Sequence, residues 1–206
     1  MRKLSRGLSA CRRGFTLIEL LVVCAIIIVV SGILLANNNK LGGQVTLENF
    51  AYDVALTLRQ AQVYGIAVNR FGTNNFSAGY GIHFQLSNPT TYILFADTEG
   101  NGLYDPNASP SEIIQTENIS QGFQISDLCS TPASASTENC GLSSLDVLFK
   151  RPEPDAYISA NGTSAILQPS AIQQQGHIVL LAPKGDKISV KVQATGQISV
   201  DQEVTP

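Results

Sequence analysis

The chain has 206 residues, 44% of them hydrophobic and 14% charged, with a net charge of −3. Low charge and 17 glycines argue for β-rich structure with many turns and against a helical bundle. Charge is divided unevenly: Arg2, Lys3, Arg6, Arg12 and Arg13 lie before Gly14 with no acid among them, leaving 8 of the 13 basic residues against all 16 acids, or −8 for a chain cut there. Such a chain has no general basic face for phosphates, which disfavours nucleic acid as a general partner and leaves only a local basic patch open, so none is expected.

Residues 1–14 form a basic leader, and Phe15 to Ala36 form a nearly unbroken apolar stretch. As a helix that stretch is about 33 Å long at 1.5 Å per residue, enough for a bilayer core of about 30 Å. A secretory signal has a shorter apolar region followed by its small-residue cleavage site. Here the small residue, Gly14, precedes the apolar run, so a cut there removes the leader and keeps the anchor. The basic leader predicts that the N-terminus stays in the cytoplasm and the C-terminal part is exported. "LSAC" ending at Cys11 imitates a lipoprotein signal, but the apolar region that such a signal needs does not precede it. Cys24 reads as a small membrane-buried hydrophobe. Glu19 is the exception in the anchor, since an ionisable group in a membrane helix costs at least about 2.5 kcal/mol and marks a functional candidate. Either it meets an opposite charge on assembly, the favoured reading, or it snorkels to the nearby interface.

"RRGFTLIELLVV" resembles the class III signal of type IV prepilins and type II secretion pseudopilins. The resemblance implies cleavage after Gly14 by a prepilin peptidase and N-methylation of the new first residue, Phe15. It also implies that Glu19, the fifth residue after the cut, pairs in a filament with the Phe15 amine of a neighbouring subunit.

Next, "NNNKLGGQ" at 37–44 is poor in helix formers and predicts a break or a melted turn. Helical periodicity then returns with Leu47, Phe50, Val54, Leu58 and Ala61, while Glu48, Asp53, Arg59 and Gln60 fall mainly on the other side. This helix should pack on a sheet and end near Asn69. From Gly79 onward strands and turns take over: "YGIHFQL" with "TTYILFAD" as a hairpin, then "SEIIQTENI", "GFQISDL", "LDVLFK", "SAILQ", "HIVLLAP", "KISVKVQA" and "QISVD". The expected fold is α+β, with a long N-terminal hydrophobic helix on a mostly antiparallel β-sheet domain. Its divisions are the leader 1–14, the transmembrane and assembly helix 15–36, a linker and amphipathic helix 37–70, and an exported β-rich domain 71–206.

The helix "LTLRQAQVYGIAVN", the phrase "FADTEGNGLYD" and the closing strand pairs resemble the H-type (GspH/FimT) minor pseudopilins and pilins. "DLCSTPASASTENCGLSS" and "RPEPDAYISANG" read as lineage-specific loops.

Cys129 and Cys140 are the two cysteines outside the leader and anchor, and a disulfide between them is expected in an oxidising compartment. Asp97, Glu99, Asn101 and Asp105 alternate around Gly102 like the first half of a calcium-binding EF-hand loop. The twelfth position is Ala108 where that loop needs a glutamate, and Glu112 comes too late, so a polar turn is the preferred reading. His83 and His177 lie in expected strands without cysteine or carboxylate at ligand spacing, and read as satisfied strand residues. With no hydrolase, zinc-protease or nucleotide-binding motif, the chain is not expected to be an enzyme and needs no cofactor.

The expected function is that of a minor pseudopilin or pilin. It is a single-pass inner-membrane protein whose partners are the prepilin peptidase and other pilin subunits, in a type II secretion or type IV pilus filament. The alternative is a binding module of a DNA-uptake or adhesion pilus, which the acidic mature chain disfavours.

Overall fold

The computed structural model describes residues 14–67, 71 and 78–202, with backbone alone for 36–42. The basic leader up to Arg13 with Cys11, the expected helix end near Asn69, and the last four residues lie outside them. The chain divides into two compact units, Met1–Gly42 and Gly43–Pro206.

Leu17–Ile66 is helical throughout (α1). The break expected at 37–44 is absent from the backbone, although the boundary between the units, Gly42/Gly43, falls inside that segment. The penalties are small beside cooperativity: glycine costs about 1 kcal/mol and asparagine about half that. Helix already nucleated on both sides needs only propagation between.

Within Gly43–Pro206 the helix buries Leu47, Ala51, Val54, Leu58 and Ala61, at alternating spacings of four and three. One face therefore enters the core. The strands are β1 (Gly79–Gln85), β2 (Thr91–Asp97), β3 (Ile113–Asn118), β4 (Gln124–Pro132), β5 (Asn139–Cys140), β6 (Ser144–Phe149), β7 (Ala156–Ala160), β8 (Gln173–Leu181), β9 (Lys187–Gln193) and β10 (Ile198–Gln202). They form two five-stranded sheets, in the orders β3-β2-β1-β6-β7 and β10-β9-β8-β4-β5. Their pairings are antiparallel throughout, so the α+β expectation holds.

The helix face, Ile82, Phe84, Leu94, Val147 and Phe149 of the first sheet, and Leu128, Ile178, Leu180, Val190 and Val192 of the second share one core. Burying each large side chain contributes roughly 1.5–3 kcal/mol. At the C-terminal end of α1, Gln62 Nε2 donates to the carbonyls of Pro154 at 3.1 Å and Gly196 at 3.0 Å. Arg59 donates to Gln62 Oε1 at 3.0 Å and fixes the amide's orientation.

Two strand expectations are corrected. "SAILQ" is a turn leading to a short 3-10 helix, Pro169–Ala171. Ser164 Oγ accepts from Leu167 N at 3.0 Å and donates to the Asn101 carbonyl, a local competition that pulls a serine-led segment out of a ladder. "AYISA", read as part of a loop, is instead edge strand β7 on β6. Its five residues are hidden in sequence between a proline-rich segment and Asn161–Gly162. Likewise, the supposed loop at 127–144 contributes the end of β4 and all of β5.

Candidate assembly site at the N-terminus

Gly14–Thr16 are non-helical, and α1 begins at Leu17. Thr16 Oγ1 accepts from Glu19 N at 3.3 Å, and Glu19 Oε2 accepts from Thr16 Oγ1 at 3.3 Å and from Thr16 N at 3.5 Å. This is a reciprocal capping box, in which Thr16 and Glu19 satisfy backbone donors that the first turn leaves unpaired. Its signal, threonine followed three residues later by glutamate before an apolar run, stands in the sequence and was not read there. Glu19 therefore has a local role at the helix start, and its negative charge also suits the positive end of the helix dipole.

Leu17–Leu35 is long and apolar enough to cross a membrane, and none of it is buried within the chain. Leu17, Ile28 and Leu35 are among its most exposed side chains, and Cys24 and the preceding Phe15 are exposed as well. Apolar surface on this scale calls for lipid or other apolar helices.

A further exposed stripe lies on the second unit's part of α1. Val45, Tyr52, Leu56 and Val63 are each more than half exposed, and their spacings are seven, four and seven residues. That is a coiled-coil-like seam on the face away from the core. Glu48, Asp53, Arg59 and Gln60 interleave with it, so that side looks polar in the sequence.

The remaining candidates are engaged inside the second unit. Asp97 is buried; its Oδ1 accepts from Gly100 N at 2.7 Å and Asn101 N at 3.1 Å, and its Oδ2 from Gly102 N at 2.8 Å. Asn101 Oδ1 accepts from Leu103 N, Asp105 Oδ1 from Asn107 N, and Glu99 Oε2 from Asn101 Nδ2. Glu112 is buried across the loop and accepts from Thr98 N, Thr98 Oγ1 and Asp105 N at 2.9–3.0 Å. A calcium ion at Asp97, Glu99, Asn101 and Asp105 would have to displace these donors. Gly100 and Gly102 both have φ near +75° (+74° and +78°), which accounts for the glycines of the turn.

Both histidines have carboxylate partners that local spacing could not show. Register places His83 opposite Asp146, and their Nδ1 and Oδ1 atoms are 2.7 Å apart. Burial pushes the Asp146 carboxyl above the usual range, partly offset by the hydrogen bond from His83. His177 stands opposite Cys129, with its Nδ1 2.9 Å from Glu138 Oε1. Cys129 and Cys140 form the expected disulfide.

A family profile described as the prokaryotic N-terminal methylation motif matches residues 9–35. No curated protein and no solved structure matches the chain. The matched residues contain Gly14, Phe15, Thr16 and Glu19 and the whole candidate membrane span. The motif and the N-terminal apolar helix behind it, the one such helix among the described residues, support a type IV pilin-like or pseudopilin protein, a structural class whose members are processed by prepilin peptidase and fit membrane anchorage.

Proposed function

We propose that this chain is a minor pilin or pseudopilin of the H type, and that it is cleaved after Gly14, methylated on Phe15 and assembled into a type II secretion or type IV pilus filament. The observation that carries this reading is a methylation motif continuous with an apolar helix that holds a single carboxylate, Glu19, in its first turn. The leader's basic residues keep residues 1–14 in the cytoplasm, and the domain beyond the anchor is exported. Removing residues 1–14 creates a positive amine at Phe15 and leaves the Thr16–Glu19 capping box in place. Glu19 then sits at a fixed position in the first turn, where it meets the amine of a neighbouring subunit in the helix bundle. Such pairing offsets the cost of a carboxylate in an apolar environment. The seam of Val45, Tyr52, Leu56 and Val63 offers a second packing surface, within the exported part.

Glu19→Leu tests this role. The variant should still be cleaved and remain in the membrane fraction but be lost from sheared or purified filaments. Incorporation of Glu19→Leu at the wild-type level would refute the assigned role.

A further inference from the structure

Three strands of the second sheet carry one row of chemically reactive side chains. Cys129 on β4 stands opposite Cys140 on β5 on one side and opposite His177 on β8 on the other. Residues directly opposite in an antiparallel ladder project from the same face, so these three share one surface of the sheet. Glu138, two residues before Cys140, reaches back to His177 Nδ1 at 2.9 Å. The ligand atoms of Cys129, Glu138 and His177 all lie within 4.8 Å of one another, as do those of Asp127, Cys129 and Cys140. In a tetrahedral zinc site, with bonds of about 2.0–2.3 Å, neighbouring ligand atoms are roughly 3.3–3.8 Å apart. Shifts of about 1 Å therefore suffice within the set of Cys129, Glu138 and His177; Cys140, grouped with Cys129 and not with His177 and Glu138, joins them only by rotating its side chain once its bond to the Cys129 sulfur is opened. Cys129 and His177 are buried, while the Glu138 side chain is 37% exposed, which leaves an entry path. Asp127 Oδ1 accepts from Leu128 N and Gly141 N, both at 2.8 Å, and so braces the backbone beside each cysteine.

We propose that the reduced chain holds one zinc ion through Cys129, Cys140, His177 and Glu138, and that forming the disulfide expels it. In the oxidised state the two sulfurs are bonded to each other and carry no thiolate charge, so they do not ligate zinc. Two molecules of a small thiol convert the disulfide to two cysteine thiolates, releasing two protons and one small-molecule disulfide; the thiolates then take up Zn²⁺. In reverse, the small disulfide oxidises the zinc-bound thiolates, the Cys129–Cys140 bond forms, Zn²⁺ leaves, and two protons complete the two small thiols. The metal thus ties β4, β5 and β8 together in the reduced state, and the covalent bond ties β4 to β5 in the oxidised state.

The test uses the full chain in detergent with Cys11→Ala and Cys24→Ala, so that Cys129 and Cys140 are the sole thiols. It is reduced anaerobically with a phosphine, loaded with Zn²⁺, desalted and assayed for metal, with Co²⁺ as an optical probe. The reduced chain should retain one zinc per molecule, give a thiolate-to-cobalt charge-transfer band, and lose the metal on oxidation. His177→Ala and the more exposed Glu138→Ala should each weaken binding by roughly tenfold or more, since even second-shell losses cost 10–100-fold. Failure of the reduced chain to retain zinc, equal retention by the oxidised chain, or unchanged affinity in both variants would overturn the proposal.

Discussion

Replacing Gly65 by alanine sets two effects against each other in the last turn of α1. In an exposed helix interior the change should stabilise by up to about 1 kcal/mol. Here the new Cβ would lie 2.4 Å from the Phe149 carbonyl oxygen, 2.7 Å from its carbon and 2.9 Å from Phe149 Cβ. Those atoms cannot easily yield, because Phe149 belongs to β6 and is paired on one side with Tyr80 and on the other with Ala156. Relief must come from moving the helix end by about 1 Å, a forced repacking that costs roughly 1–3 kcal/mol. That movement also strains the Arg151 N to Gly65 O bond of 3.1 Å, worth about 1 kcal/mol. Packing therefore wins, and Gly65→Ala should destabilise the second unit by about 1–3 kcal/mol. Gly43 has nothing within 4 Å of an added Cβ, so Gly43→Ala should leave stability unchanged or raise it by up to about 1 kcal/mol. All six tyrosines lie in the second unit, so urea unfolding followed by tyrosine fluorescence reports on it directly. A Gly65→Ala protein as stable as the wild type would refute the close approach of helix to strand.

Tyr92 should make the domain sensitive to alkali. Burial pushes its phenol up to about 12 from an ordinary 10.0, outweighing the lowering contact with Thr57. Between those values the unfolded chain has released its proton and the folded chain has not, so stability falls as pH rises, by about 3 kcal/mol across the window. Urea midpoints across that window should fall less in Tyr92→Phe than in the wild type, and equal slopes would contradict the assignment. On the outer face of α1, Leu56→Asp should change domain stability by no more than about 0.5 kcal/mol, as expected for an exposed site. It should nevertheless reduce recovery of the protein in sheared filaments, and unchanged recovery would remove the seam from the assembly surface.

Local patterns were the legible part of the fold. The apolar run, the 47–61 helix stripe and the hairpin from Tyr80 to Asp97 each declare themselves within a few consecutive residues, where periodicity acts. Features set by non-local register did not. Nothing in "AYISA" marks it as the partner of β6, and nothing near His177 in sequence shows that Cys129 lies opposite it. Residues 37–44 misled for a different reason, because per-residue propensity omits the cooperativity between flanking helical turns. At the N-terminus Gly14 and Phe15, proposed for processing, and Glu19, proposed for assembly, stand out through a motif. The capping box of Thr16 and Glu19 is equally local, but its glutamate is also the one charge in the apolar run, and that second feature masks its role at the helix start.

Everything proposed for the anchor depends on Gly14 being a processing point and Phe15 the first residue of the working protein. Intact-mass and peptide mass spectrometry on the chain produced with an active prepilin peptidase tests it directly. The product should lack residues 1–14 and begin with N-methylated Phe15. A chain that retains Met1 through Gly14 while the peptidase processes other substrates in the same cells would contradict it.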